Sequence, residues 1–203
     1  MSFQRFHDTW FEQFRHLVHQ LGQAPRPPTT EEHYHQLRQL VNKVMFHCTE
    51  YYRVKSLAVK QDVLFFSSAP WTTSLERSLH WIGGWRPTTA FHLVYTESSI
   101  LFESRVVDIL RGFRTGDLGD LSPGQFRRDS ASDIVGLCED FDEKMERLAG
   151  ILNKADGLRL KTIENVVDLL TPQQAAEFLV AAAELQFGIH AWGVEQDRQR
   201  GNV

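Results

Sequence analysis

Apolar side chains recur every three or four positions along almost the whole chain, which is the period of an amphipathic helix. Phe3, Phe6, Trp10, Phe14, Leu17, Val18 and Leu21 define one face of a first helix. Ser2 can cap it, and Gly22 with Pro25, Pro27 and Pro28 ends it, so residues 22–30 read as a stiff connector. A second, long helix opens near Thr29 or Thr30, with Glu31 and Glu32 favourably placed in its first turn. Its apolar face takes in Leu37, Leu40, Val41, Val44, Met45, Cys48, Tyr51, Tyr52 and, further on, Leu57 and Val63-Leu64. The run Val63-Leu64-Phe65-Phe66 has the composition of a buried strand but no partner strand, so helix is preferred.

After the break at Ser67-Ser68-Ala69-Pro70, Thr73-Ser74-Leu75-Glu76 has capping-box spacing, a hydroxyl followed three residues later by a carboxylate. The short helix it opens is expected to carry Leu75, Leu79, Trp81 and Ile82 and to stop at Gly83-Gly84. Pro87 suits the first position of the next helix, which holds Phe91, Val94 and Tyr95. A helix over Ile100 to Phe113 follows, and then surface loops at 114–122 and 129–136. Ser122-Pro123 restarts a helix to about Lys154, with an interruption at Gly136, and Leu158 to Leu170 reads as a separate amphipathic helix. Thr171-Pro172-Gln173-Gln174 is a second capping box, with proline at the first helical position, and opens a last helix to about Trp192. The predicted fold is all-α, a single helical bundle of about seven or eight helices forming one domain over residues 1–203.

Composition narrows the class. A chain of 203 residues should bury roughly 70% of its unfolded surface, so it needs no disulfide or metal staple. Two cysteines, Cys48 and Cys138, suit a reducing compartment. The formal charge of -4 argues against direct nucleic-acid binding, which needs a clustered excess of Lys and Arg. No apolar run reaches the roughly 20 residues of a membrane span, and the first residues lack the pattern of a secretory signal. The expected setting is soluble and intracellular.

Candidate chemistry is sparse. Nine histidines invite a metal reading, but His16 and His19 lack a carboxylate partner, His33 and His35 point apart, and His47-Cys48 are adjacent. No metal site is assigned. The acidic run Glu139, Asp140, Asp142, Glu143 and Glu146 lacks the ladder of a calcium loop and reads as a solvated helix face. A phosphate-binding loop, a dinucleotide fingerprint and a nucleophile elbow are all missing, so no enzyme activity is expected and no catalytic residue is assigned. Aromatic residues are the informative class. Trp71, Trp81, Trp85 and Phe91 suit a core corner whose indole N–H groups find partners. Phe3, Phe6, Trp10, Phe11 and Phe14 spread over more than one stripe of the first helix, beside Asp8 and Glu12. Core packing and contact with a partner protein are both open for that surplus.

The stretch Ala69-Pro70-Trp71-Thr72-Thr73-Ser74-Leu75-Glu76-Arg77-Ser78-Leu79-His80-Trp81-Ile82-Gly83-Gly84-Trp85-Arg86-Pro87, continuing to Tyr95, resembles the plant delay-of-germination family, whose domain also forms the C-terminal half of TGA-type bZIP transcription factors. Further blocks agree with it in order and spacing: Leu118-Gly119-Asp120-Leu121-Ser122 with Gln125, Ala155-Asp156-Gly157-Leu158-Arg159, Leu170 to Ala175, Phe178-Leu179 and His190-Ala191-Trp192-Gly193. A basic region followed by zipper heptads is missing, so the resemblance points to the zipper-less, seed-dormancy branch. Between Gln125 and Leu148 this chain is shorter than the family's usual segment.

The resemblance implies a regulator of the nucleus, the cytoplasm or both, in abscisic-acid signalling and transcription control, that acts through protein contacts. Its implied partners are a type 2C protein phosphatase or a TGA-like domain, and homodimers are a further expectation. The family's phosphatase-contact motif is similar to Asp8-Thr9-Trp10-Phe11-Glu12. The resemblance also implies haem held by two histidines four apart in the last helix; here those positions are Gln186 and His190, so one ligand is lost. Two alternatives stay open: a small-molecule sensor holding haem or a fatty acyl chain, and a developmental role such as positioning pollen apertures.

Overall fold

The computed structural model describes residues 2–97 and 136–201. Seven helices and no strand occur among the described residues. They are α1 (Phe3–Gln23), α2 (Glu31–Val59), α3 (Val63–Ser68), α4 (Ser74–Leu79), α5 (Thr88–Glu97), α6 (Gly136–Leu169) and α7 (Pro172–Gln199). The predicted helix over Ile100 to Phe113, the loops at 114–122 and 129–135, the restart at Ser122-Pro123 and the block around Leu118 to Gln125 lie outside the described residues.

Local chemistry sets the helix starts. Ser2, Thr30, Asp62, Thr73 and Thr171 each accept a hydrogen bond from the backbone N–H three residues on. Thr73 with Glu76, and Thr171 with Gln174, form complete capping boxes. α1 and α2 pack together across the proline connector, α7 lies against both and also touches α4 and α5, and α6 packs on α2 and α3. The main apolar core gathers Val18, Leu21, Leu37, Val44, Val166 and Phe178 from four helices. A smaller second core joins Val59, Val63, Phe66, Trp71 and Leu152. Each buried aliphatic or aromatic side chain of this kind contributes about 1.5–3 kcal/mol.

Several expectations need correction. α6 is one continuous helix through Gly150 and Gly157, where two helices with a break after Lys154 were expected. Each glycine costs about 1 kcal/mol in a helix interior. Burial of Leu152, Ala155 and Asp156 on one face outweighs that cost. α4 stops at Leu79, so Trp81 and Ile82 belong to the following loop and Leu79 is exposed. Leu57 and Leu64 also face solvent rather than the core. The last helix runs seven residues past Trp192, to Gln199. Val63-Leu64-Phe65-Phe66 is helical, and the exposed carboxylates Asp142, Glu143 and Glu146 lie on the solvated face expected of them.

Between the two cores sits a buried ionic cluster. On α2 Lys55 falls between Cys48 of the main core and Val59 of the second; on α6 Asp156 and Arg159 fall between Leu152 and Val166. Lys55 Nζ lies 2.9 Å from Asp156 Oδ2, and Arg159 Nη1 donates to Asp156 Oδ1 at 2.6 Å. Two cations thus meet one carboxylate. Backbone carbonyls balance the excess: Arg159 donates to Trp85 at 2.7 Å, to Ile82 at 2.9 Å and to Trp81, and Lys55 donates to Gly83 at 3.2 Å. The loop between α4 and α5 is therefore folded around a guanidinium. To turn its carbonyls inward it takes positive φ at Ile82 (48°) and Gly83 (68°), the former a strained conformation for a β-branched residue. A Cβ on Gly84 would sit 2.9 Å from Arg159 Cζ, so only glycine lets the guanidinium close in.

Removing Arg159 leaves Asp156 paired with Lys55 but takes the donor away from the buried carbonyls of Trp81, Ile82 and Trp85. Arg159→Met is expected to lower the unfolding free energy by about 3–5 kcal/mol, measured by urea denaturation followed by circular dichroism.

Candidate functional site

The second polar centre is the carboxylate of Glu76, 5% exposed, where α4 meets α7. As the third residue of its capping box, Glu76 is already fixed by the local sequence: its Oε2 accepts the Thr73 N–H at 2.8 Å while Thr73 Oγ1 accepts the Glu76 N–H at 3.2 Å. α7 then brings two donors one turn apart. Gln186 Nε2 donates to Oε1 at 3.0 Å, and His190 Nδ1 lies 3.0 Å from Oε2. Further along α7, Asp197 Oδ2 accepts the Ser74 N–H at 2.9 Å, so α4 has two carboxylates at its start, one from each helix. The helices approach this closely because position 193 is glycine; a Cβ there would collide with Thr73 Oγ1 and lie 2.7 Å from Thr73 Cβ.

α1 covers this polar centre with its aromatic face. Phe11 packs edge-on to Phe187 (5.3 Å between centroids) and lies 4.9 Å from the His190 ring. His7 stacks on Phe11 at 5.9 Å and is buried, with Nδ1 3.7 Å from an Asp8 oxygen. On the α2 side, Trp10 Nε1 donates to the His47 carbonyl at 3.0 Å and His47 Nε2 donates to the Trp10 carbonyl at 2.9 Å. Their rings lie parallel, 5.1 Å apart. The aromatic surplus of α1 is thus used inside the molecule.

The five residues singled out on α1 therefore separate by role. Asp8, Thr9 and Glu12 are exposed, Trp10 is half-buried and Phe11 is buried. The two rings anchor the helix, and the three polar residues present outward. Asp8 and Glu12, one turn apart, lie on the edge of α1 nearest α7. Arg15, a turn beyond, places its guanidinium 5.3 Å from the centroids of both Phe11 and Phe187. A separate groove of about 380 Å³, lined by Leu17, Asn42, Lys43, Phe46 and His47, opens between α1 and α2. Leu17 is roughly 140–180° around α1 from Glu12 and Asp8, so the groove is on the other flank.

Trp85 packs on the main core as expected, whereas Trp81 lies in the loop outside both cores. Trp85 Nε1 donates to the Tyr52 hydroxyl at 2.9 Å, and the Trp81 ring lies 5.7 Å beneath Arg159. Among the described residues no group of three or more His, Cys, Asp or Glu side chains is arranged to hold a metal ion. The pair Gln186 and His190 does not fit a two-imidazole haem site. One imidazole is present, its Nδ1 is held by Glu76, and the amide at 186 is held by the other oxygen of the same carboxylate.

Charge at this centre responds to pH in a defined direction. The Glu76 carboxylate is raised by burial but lowered further by the His190 and Thr73 hydrogen bonds, so its pKa is net below the usual value. The hydrogen bond to Glu76 raises His190 despite burial. Burial lowers His7, and burial lowers His80 to about 4. The unfolded chain binds more protons at His7 and His80 once pH falls below 6.5, so these residues subtract stability as pH drops from 6.5 towards 4. His190 acts oppositely: its contribution is complete below 6.5 and is lost as pH rises through its higher folded pKa. Glu76 contributes above 4.5, and that contribution is lost as pH falls through its lowered folded pKa. The thermal midpoint is expected to fall between pH 6.5 and 4, and to fall less in His80→Gln, as followed by circular dichroism. Gly193→Ala is expected to melt earlier than wild type at every pH, because the added methyl separates α4 from α7.

Residues 14–96 match the model of the DOG1 family, described as seed dormancy control. Protein DOG1-like 4 of Arabidopsis thaliana is 29% identical over 220 residues, spanning 95% of this chain and 92% of that protein. Protein DOG1-like 3 of the same plant is 25% identical over 214 residues, spanning 82% of this chain and 75% of that protein. Transcription factor TGA1 of Arabidopsis thaliana is 30% identical over 166 residues, spanning 73% of this chain and 44% of that factor. The matched stretch holds α2, the loop folded around Arg159 and the capping box of Glu76, and the alignments with the DOG1-like proteins span most of both chains. Residues 14–96 thus match the DOG1 seed-dormancy-control domain, and the chain is similar to DOG1-like proteins over most of its length.

Proposed function

We propose that this protein is a non-enzymatic plant regulator of the seed-dormancy and TGA-related kind, acting by protein contact, with a type 2C protein phosphatase of abscisic-acid signalling as partner. The DOG1 domain match supports the regulatory role, since the relatives are DOG1-like proteins and TGA transcription factors. One observation carries the contact: α1 exposes Asp8, Thr9 and Glu12 on a helix whose own rings are locked into the core. A binding surface built on a fixed helix loses little conformational freedom when a partner docks, which favours affinity. Thr9 Oγ1 donates to the Arg5 carbonyl at 2.9 Å, so this side chain also is held before any partner arrives.

A net charge of -4 and the absence of a dense basic stripe make contact with proteins, rather than with nucleic acid directly, the route into transcription control. The nucleus and cytoplasm are the compartments where such contacts would form.

Trp10 and Phe11 pack inside the bundle, so truncating them would loosen the fold and confuse a binding measurement. Substitution of the exposed pair separates contact from stability. Asp8→Lys with Glu12→Lys is expected to reduce recovery of a type 2C phosphatase in a pull-down by about tenfold or more, roughly 1.4 kcal/mol. The melting curve should remain that of the wild type. Recovery equal to wild type would remove the phosphatase from this reading.

A further inference from the structure

We propose that Arg15 is a further partner-contacting residue, which takes a carboxylate of the same protein that Asp8 and Glu12 engage. The inference rests on the reading of Asp8 and Glu12 given above. Spacing puts the three on one stripe: positions 8, 12 and 15 are i, i+4 and i+7 of α1. The stripe borders α7, because Phe11, between Asp8 and Arg15, packs on Phe187 and His190.

Among the described exposed arginines Arg15 is set apart by the rings that hold it. Arg53, Arg147 and Arg198 each pair with a glutamate on their own helix, Glu50, Glu143 and Glu195, while Arg5, Arg38 and Arg86 have neither an ion pair nor a ring beneath them among the described residues. Glu12 stands at the equivalent spacing before Arg15, yet among the described residues no carboxylate pairs with Arg15. Its guanidinium instead lies over two rings from two helices, 5.3 Å from the centroid of Phe11 and 5.3 Å from that of Phe187. The ring faces attract the cation and restrict its long side chain. They cannot accept its N–H groups in the plane of the fork, so those donors remain for an external acceptor. A planar guanidinium with free edges is suited to two parallel hydrogen bonds with a carboxylate.

The surface therefore reads minus, minus, plus along about 10 Å of helix from Asp8 to Arg15. Its complement is a protein segment carrying a basic side chain and, about 10 Å away, an acidic one. His190 packs against the Phe11 ring and senses both charges, Asp8 raising and Arg15 lowering its protonation, so the stripe and the Glu76 centre share one electrostatic neighbourhood. Because Arg15 touches rings from both α1 and α7, its position also depends on those helices being docked.

The test uses the full chain and a type 2C phosphatase, with affinities measured at low and at raised ionic strength. Arg15→Leu keeps an apolar cover over the two rings but removes the charge. Arg15→Leu is expected to weaken binding about 3- to 10-fold and Arg15→Glu by more than tenfold. The salt dependence should be shallower for Arg15→Leu than for wild type, a change that loss of packing alone would not produce. Wild-type affinity for both variants, with Asp8→Lys/Glu12→Lys still impaired, overturns the role of Arg15 and leaves the phosphatase reading standing. Wild-type affinity for Asp8→Lys/Glu12→Lys overturns that reading, and the role of Arg15 with it. If Arg15→Leu loses helicity, Arg15→Lys decides: it keeps the charge without the fork, a several-fold loss supports the proposal and unchanged affinity refutes it.

Discussion

The fold depends on one guanidinium. Arg159, 1% exposed, meets the Asp156 carboxylate on its own helix and the carbonyls of Trp81, Ile82 and Trp85 across the bundle. Those contacts set the path of the chain between α4 and α5, and they do so at the level where the two apolar cores meet. A charge there is tolerated because it is partnered on several sides: Asp156 along its own helix, loop carbonyls opposite, the Trp81 ring alongside. The oddities of the loop follow from this. Positive φ at Ile82 and Gly83, and a glycine at 84 with no room for a Cβ, are what a backbone must accept to turn its carbonyls onto a buried cation.

Glu76 plays a related part with the opposite sign. A capping glutamate is normally a local device, satisfying backbone donors at the start of its own helix. Here its two oxygens also receive Gln186 and His190 from α7, so the start of a six-residue helix becomes a fixed point between distant parts of the chain. Phe11 then packs over His190, and that contact settles which edge of α1 is left outside. The sequence of dependence runs from the loop around Arg159, to the placement of α4, to the placement of α7, to the exposed stripe Asp8, Glu12 and Arg15. The exposed stripe is the last link of a chain of buried polar contacts.

Much of the helical framework was legible before any coordinates. The capping boxes at Thr73 and Thr171 act over three residues, so their spacing reports them directly, and the 3.6-residue period of α1 and α2 marks their buried faces. Boundaries read less well where local propensity lost to packing. Two helices meeting between Lys154 and Leu158 were expected, but the buried side of α6 keeps one helix through Gly150 and Gly157. Trp81 and Ile82 continued an apolar pattern, but Arg159 drew their carbonyls inward and ended α4 early. On α1 the residues Asp8 to Glu12 could be picked out together by resemblance, whereas their separation into anchors and exposed groups could not. A five-residue motif on a helix spans more than one face, and only the neighbours determine which face is covered.

The sequence by itself determined an all-α chain, its main caps and stops, and its kinship, because these rest on short-range spacing and on residue order. Tertiary structure alone decided that Lys55 finds Asp156 101 residues away, that Glu76 finds Gln186 and His190, and that Arg15 is shared between two rings. Such contacts depend on how helices cross, which no local pattern encodes. An arginine in an amphipathic helix is by default a solvated residue. Only the packing around Arg159 makes it the centre of the fold, and only the docking of α7 on α1 leaves Arg15 held in place with its donors facing outward.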